Sequence, residues 1–234
     1  MINIDDNNNY YRQPVITCNK KSKSVSSVFD KIAEKYVNYF GDDWEFLDEI
    51  EAFSEKFKNG STILDLGCGS GYITNFLKNR GLNAIGIDFS AEMINIAKEK
   101  FPDIDFKQYD FLNIENYFED NSVDGIIAIY SLYFIPRIKF NSFLQSLSKV
   151  LKKGGKFLFV TQVGDGESYI KTPLMNECNL DESIYLNCYK EEELKKLLKE
   201  SGFTIDYFDY RAVIDEKEVK DTGRYIVLAT KVEK

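Results

Sequence analysis

The apolar run Ile63-Leu64-Asp65-Leu66 leads into Gly67-Cys68-Gly69-Ser70-Gly71. Twenty-one residues after Gly67, a second apolar run ends at Asp88. Three glycines alternating with other residues let a turn bring its backbone close to a ligand with no Cβ in the way. A helix that follows such a turn points its first N–H groups into the same space. An acid at the tip of the second strand of a βαβ unit is placed to hold two ribose hydroxyls. These residues prescribe the gripping of a nucleoside-like ligand by backbone and carboxylate. The spacing narrows it further. A dinucleotide fingerprint, G-x-G-x-x-G, requires glycine at position 72, where Tyr72 stands, and Asp65 before the first glycine is foreign to that pattern.

The pattern Asp65-x-Gly67-x-Gly69-x-Gly71, with Asp88 ending the next strand, resembles the class I S-adenosylmethionine-dependent methyltransferases, over roughly residues 28–234. The resemblance implies S-adenosylmethionine as cofactor, with S-adenosylhomocysteine as product. Asp88 suits the ribose diol, and Phe89 packs either on the adenine face or in the core. Asp110 either accepts from the adenine amino group, with the backbone N–H of Phe111 beside it, or caps the next helix. Asp65 is expected near the methionyl end, where its charge suits an ammonium. Cys68 fills a small position inside the loop, and the Gly67 carbonyl is an expected acceptor. Tyr130 aligns with the family position beside the methionine moiety. Tyr36 and Tyr39, three apart, share a helix face and form either a lid on the cofactor or ordinary core and surface.

The implied reaction is an in-line displacement at a sulfonium methyl, helped mainly by alignment and exclusion of water. Many relatives of this type use a histidine base, and this chain has no histidine at all. That excludes imidazole catalysis and His-ligated zinc. Where relatives often carry histidine, this chain has Tyr133-Phe134. No catalytic residue is assigned; Tyr133, Asp165, Glu167 and Tyr169 are the candidates should the acceptor need deprotonation. No metal is expected.

The elements that position these residues read as strict strand–helix alternation. Strands are predicted at 61–66, 83–87, 104–108, 123–129 and 156–162, with helices at 72–79, 91–100 and 139–151. Ser90 is a predicted N-cap, and Lys152-Lys-Gly-Gly155 a turn. A helix at 191–201 and strands at 203–214 and 223–231, joined by a charged linker at 215–222, close the chain. The fold class is α/β, a Rossmann-like doubly wound seven-stranded mostly parallel sheet with a terminal antiparallel hairpin and helices on both faces. Ligands then bind beyond the C-terminal strand edge.

Residues 1–24 read as a flexible polar arm and 25–234 as the methyltransferase domain. Within it, 25–58 forms a helical cap: one amphipathic helix at 26–40 stopped by Gly41, and a second from Asp43 to Phe57 with Trp44 on its apolar face. Residues 163–188 read as an irregular insertion and a substrate lid.

The chain has 38 acidic against 30 basic residues, a net charge of −8, which argues against a nucleic-acid partner. No membrane span or secretory signal is visible. Four scattered cysteines suit free thiols in a reducing cytoplasm. The sequence therefore predicts methyl transfer to a small-molecule N or O nucleophile. The alternatives are a protein or peptide substrate, a non-catalytic S-adenosylmethionine binder, and transfer of another group from the same cofactor.

Overall fold

Runs of β-branched and aliphatic residues long enough for one strand, each followed by an amphipathic helical stretch, must bury both sheet faces. The computed structural model describes residues 16–17, 25–40, 45–212 and 223–232, and in it the runs do so. Strands β2 (Thr62–Leu66), β3 (Asn83–Asp88), β4 (Asp105–Gln108), β5 (Val123–Ile129) and β6 (Leu151–Gln162) are parallel. The hairpin β9 (Phe203–Ala212) and β10 (Gly223–Lys231) completes the sheet, with β10 antiparallel to both neighbours. The order is β4-β3-β2-β5-β6-β10-β9. The chain moves outward from β2 to β4, then crosses back to β5, so the order reverses between β2 and β5. A crevice opens at such a reversal, at the carboxyl ends of the strands.

The cap helices α1 (Val25–Phe40) and α2 (Leu47–Ser54) precede the sheet. Helices α3 (Tyr72–Asn79) and α4 (Ala91–Lys100) fall where the periodicity places them, as does α7 (Glu191–Glu200); α5 (Arg137–Val150) begins directly after Pro136. One face of the sheet packs Leu64, Ile126, Phe157 and Phe159 against Phe143, Leu144 and Leu147 of α5. The other packs Ile63, Ile127 and Leu158 against Ile50 and Phe53 of α2 and Leu77 of α3. Each such fully buried side chain contributes about 1.5–3 kcal/mol.

Three expectations are corrected. The predicted turn at 152–155 lies inside β6: Val123 pairs with Leu151 but Gly125 pairs with Lys156, so the strand bulges between them. Gly154, at φ +75°, supplies the backbone that the bulge needs. Residues 163–188 are ordered rather than irregular. They form β7 (Gly166–Lys171), the short helix α6 (Pro173–Glu177) and β8 (Ile184–Cys188), an antiparallel sheet with β1 (Ile16–Thr17) on its outer edge. Ile170, Leu174, Met175, Ile184 and Leu186 of this unit bury against Val28 and Ile32 of α1. Helix α2 is also shorter than predicted. Trp44, Gly41, Cys18, most of the arm at 1–24 and the linker at 215–222 lie outside the described residues.

Arg137, the first residue of α5, fastens the end of the insertion to α5 and to α7 (Glu191–Glu200). Its guanidinium donates to Asn187 Oδ1 (3.1 Å) and the Cys188 carbonyl (2.8 Å), pairs with both oxygens of Glu193, and lies 4.6 Å from the Tyr189 ring centroid. Asn187 is fully buried, so removing its donor strands a polar group. Arg137→Ala is expected to destabilise the protein by about 2–4 kcal/mol. Urea unfolding would measure it, and a loss under about 0.5 kcal/mol would reduce the network to a surface contact.

Candidate active site

The crevice at the strand reversal is lined by the glycine loop (Gly67, Cys68, Gly69, Ser70), by Asp88 and Phe89 from the β3 tip, and by Tyr130, Ser131 and Phe134 after β5. Helix α1 supplies Phe29, Tyr36 and Phe40; Phe46 and Ile50 come from the start of α2.

The three glycines do different work. An added Cβ at Gly67 would lie 2.3 Å from Ser131 Cβ, and one at Gly71 would lie 2.5 Å from Phe106. These two are needed for close packing of the loop on its neighbours, not for ligand approach. At Gly69 a Cβ would meet nothing within 4 Å, so of the three glycines only this one would point a side chain into open space. All three hold positive φ, which glycine adopts at little cost. Ser131, 4% exposed, locks the loop by donating to the Leu66 carbonyl at 2.6 Å.

Asp88 is 6% exposed. One carboxylate oxygen accepts from Gly69 N–H (3.0 Å), the other from Ser90 N–H (2.9 Å). A carboxylate offers about four lone-pair sites, so acceptor capacity remains toward the cleft. Burial raises its pKa to about 6, against those two bonds. Ser90 caps α4 as expected, accepting from Met93 N–H at 3.2 Å. Its hydroxyl also donates to Asp30 of α1 (2.6 Å), and Ser26 donates to the Phe89 carbonyl (3.2 Å). These two bonds strap α1 across the β3 tip.

Asp65 does not line the crevice. It is 1% exposed beneath the loop and accepts from Thr74 Oγ1 at 2.6 Å. Burial, then the charge of Asp88, raise its pKa to about 7, with the Thr74 hydroxyl opposing. Burial likewise pushes the Cys68 thiol up. Asp110 takes the capping role, accepting from Leu112 N–H at 3.0 Å; it and the buried Phe111 lie outside the lining. Tyr36 lines the crevice, whereas Tyr39 reaches Glu177 of α6 at 3.4 Å.

The deprotonation candidates are not brought together. Asp165 pairs with Lys190 at 2.7 Å, and Glu167 accepts from the Tyr185 hydroxyl. Tyr169 packs on Tyr185 with centroids 5.8 Å apart. Tyr133 packs among α1 and the insertion, where burial raises its pKa far above the ordinary tyrosine range. Sequence reasoning missed Ser26, Asp30, Phe40, Phe46 and Glu45, whereas Ser131 and Phe134 fall in the segment after β5 expected to border the methyl group. Glu45 accepts from the Tyr130 hydroxyl. None carries a motif signal, since their roles come from elements meeting in space.

A family model described as a methyltransferase domain matches residues 63–155. An uncharacterized methyltransferase of Bacillus cereus is 30% identical over 155 residues, covering 63% of this chain and 72% of that protein. A SAM-dependent methyltransferase structure from Methanosarcina mazei is similar at TM-score 0.66 and 22% identity, over 78% of this chain and 98% of that one. The Burkholderia thailandensis 1,6-didemethyltoxoflavin-N1-methyltransferase, solved with 1,6-didemethyltoxoflavin and S-adenosylhomocysteine, aligns at TM-score 0.64 and 15% identity, over 94% and 95% of the two chains.

Proposed function

Because this chain belongs to the class I S-adenosylmethionine-dependent methyltransferases, we propose that its methyl acceptor is a small molecule with a nitrogen or oxygen nucleophile. The crevice residues fit the cofactor. Gly69 faces open space, Asp88 keeps acceptor capacity for a diol, and Phe89 offers an aromatic face beside it. In this reading Gly67, Cys68, Gly69 and Gly71 shape the cradle, and Asp65 supplies negative charge beneath it. Tyr130 and Tyr36 flank the methionyl end; Asp110, whose carboxylate caps the turn after β4, and Phe111 would border the adenine only from outside the crevice lining. Bound S-adenosylmethionine supplies an activated methyl on a sulfonium, so the protein's part is to bind, orient and exclude water.

The observation that carries the small-molecule reading is the roof. Helix α1, strapped by Ser26 and Asp30, covers the crevice, and Phe40, Phe46, Tyr130 and Phe134 wall its far end. A covered aromatic pocket suits a compact, partly apolar acceptor. The Burkholderia neighbour was solved with a small-molecule ligand, 1,6-didemethyltoxoflavin, beside S-adenosylhomocysteine. The insertion, packed on α1, is the lid of this pocket.

S-adenosylhomocysteine at about a hundred times its Kd is expected to raise Tm by about 5–10 °C. Methyl-labelled S-adenosylmethionine, incubated with the enzyme and a fractionated cell extract, is expected to label the small-molecule fraction. Label confined to the protein fraction would overturn the acceptor class.

A further inference from the structure

Phe29, Tyr36, Phe40, Phe46, Tyr130 and Phe134 bring aromatic rings to the crevice from α1, the start of α2 and the segment after β5. The rings meet at steep angles. Phe29 sits on Phe134 at 70° with centroids 5.2 Å apart, and Phe46 on Tyr130 at 61° and 5.4 Å. Rings set at such angles bound a space with faces as well as edges, and an aromatic face carries negative potential. Among the described residues of the lining Asp88 is the one charged group, and it is an acid. Arg224 and Lys100 touch the rings of Tyr130 and Tyr72, but neither lines the crevice, and Arg224 stands 3.7 Å from the Glu45 carboxylate. This space favours positive charge over negative.

Nor do the described residues set a base beside it. Both oxygens of Asp88 accept from backbone N–H groups at the β3 tip, where the diol is to be held. The Ser131 hydroxyl donates to the Leu66 carbonyl and the Tyr130 hydroxyl to Glu45. Burial pushes the Cys68 thiol up. Tyr133, Asp165, Glu167 and Tyr169 lie outside the lining. An acceptor that must lose a proton before attack finds no group here to take it. A hydroxyl acceptor is of that kind. The anion it would become, like a carboxylate, would be desolvated between ring faces and an acid, with no cation to pair with.

Building on the small-molecule methyltransferase reading, we propose that the acceptor is a weakly basic nitrogen on a planar aromatic frame, an aromatic amine or a ring nitrogen of the pyridine kind, and that the ring-lined crevice selects it by charge. Such a nitrogen is neutral near pH 7 and brings its own lone pair, so no proton has to leave before attack. Its lone pair forms the N–C bond as the C–S bond breaks, the sulfur keeps the electrons of that bond, and the positive charge passes from sulfur to nitrogen. The crevice thus holds one positive charge throughout, and ring faces stabilise it as it arrives on nitrogen. A primary aromatic amine gives up its surplus proton to solvent after the transfer. Aliphatic amines are protonated near pH 7 and meet no base that would free their lone pair.

The test uses the full chain, S-adenosylmethionine isotopically labelled at its methyl carbon, and a fractionated extract of the source cells. Carbon–proton correlation NMR reads the atom that carries each new methyl. A methyl on an aromatic amine or ring nitrogen is expected. A methyl on oxygen, sulfur, carbon or an aliphatic amine overturns this inference and leaves the small-molecule reading standing. Label confined to protein, or absent from every fraction, overturns both. Failure to bind S-adenosylhomocysteine sinks the methyltransferase reading itself. A second readout needs no turnover. On the protein saturated with S-adenosylhomocysteine, isoquinoline is expected to bind at least about tenfold more tightly than naphthoate, by calorimetry or ligand-observed NMR. Equal affinities, or binding of neither, overturn selection by charge. In Phe134→Leu, which removes a ring and keeps bulk, kcat for the identified acceptor is expected to fall about three- to thirtyfold with S-adenosylhomocysteine affinity within about twofold, and Phe134→Tyr to restore it. A leucine variant with wild-type kcat would remove the rings from the explanation.

Discussion

Asp88→Ala is expected to weaken S-adenosylhomocysteine binding by two to four orders of magnitude, the largest functional effect of any single change in this protein. Two hydroxyl bonds to an ionised acceptor contribute about 1.5–3 kcal/mol each. The same substitution strips Gly69 N–H and Ser90 N–H of their acceptor, so the loop loses its tie to the β3 tip. Asp88→Asn is no rescue, because the amide turns a donor toward one of those two N–H groups. The effect should also be visible in wild type as a pH dependence. Burial holds the Asp88 pKa near 6, and accepting from a diol favours the ionised form. Affinity is therefore level above pH 7 and falls below pH 6, by up to about tenfold per unit. Calorimetric titration between pH 5 and 8 measures both. A wild-type Kd that does not change with pH, together with a normal Kd in the alanine variant, would remove Asp88 from the site.

The residues of that prediction were readable from sequence because each obeys a local rule. A strand that ends in an acid, and a turn with glycines at alternate positions, are patterns of consecutive residues. Helices α3 and α4 and strand β5 match their periodicity to the residue. The crevice walls were readable only in part: Phe89, Tyr130 and Tyr36 were anticipated, but Phe46 and Tyr130, or Asp30 and Ser90, are distant in sequence and meet only when α1 and α2 fold over the strand tips. The insertion failed for another reason. Its strands are short, and their alternation, as in Ser168-Tyr169-Ile170 and Ile184-Tyr185-Leu186, is brief enough to read as loop. Thr172-Pro173 was a usable signal: the threonine caps α6 and the proline sits at its first position. The division of labour among the glycines also lay beyond sequence, because it depends on Ser131 and Phe106 occupying the space beside Gly67 and Gly71.

Asp65→Asn is expected to destabilise the protein at pH 5 and stabilise it at pH 8. The buried carboxyl has a folded pKa near 7 against an ordinary 3.8, raised first by burial and also by the charge of Asp88. Between about pH 4 and 7 the folded state therefore keeps a proton that the unfolded chain has lost. Stability then falls as pH rises through that window, by up to about 1.4 kcal/mol per unit, and levels above 7. Asp88 adds a contribution of the same sign up to about pH 6. Carboxylates whose pKa is lowered, such as Glu115 and Asp124, act with the opposite sign but below the unfolded values near 4. The window is thus set by the two buried acids. Asparagine keeps an oxygen for Thr74 Oγ1 and cannot ionise, though its amide hydrogens cost about 1–3 kcal/mol when left unpaired. The net gain at pH 8 is about 2 kcal/mol, roughly 4–8 °C in Tm. Thermal melts of both proteins across pH 5–8 should cross, and parallel curves would show that the acid does not titrate. In the function proposed above, Asp65 supplies negative charge for the methionyl ammonium of the cofactor. The stabilised variant is accordingly expected to bind S-adenosylhomocysteine, with its ammonium, more weakly than wild type at pH 8.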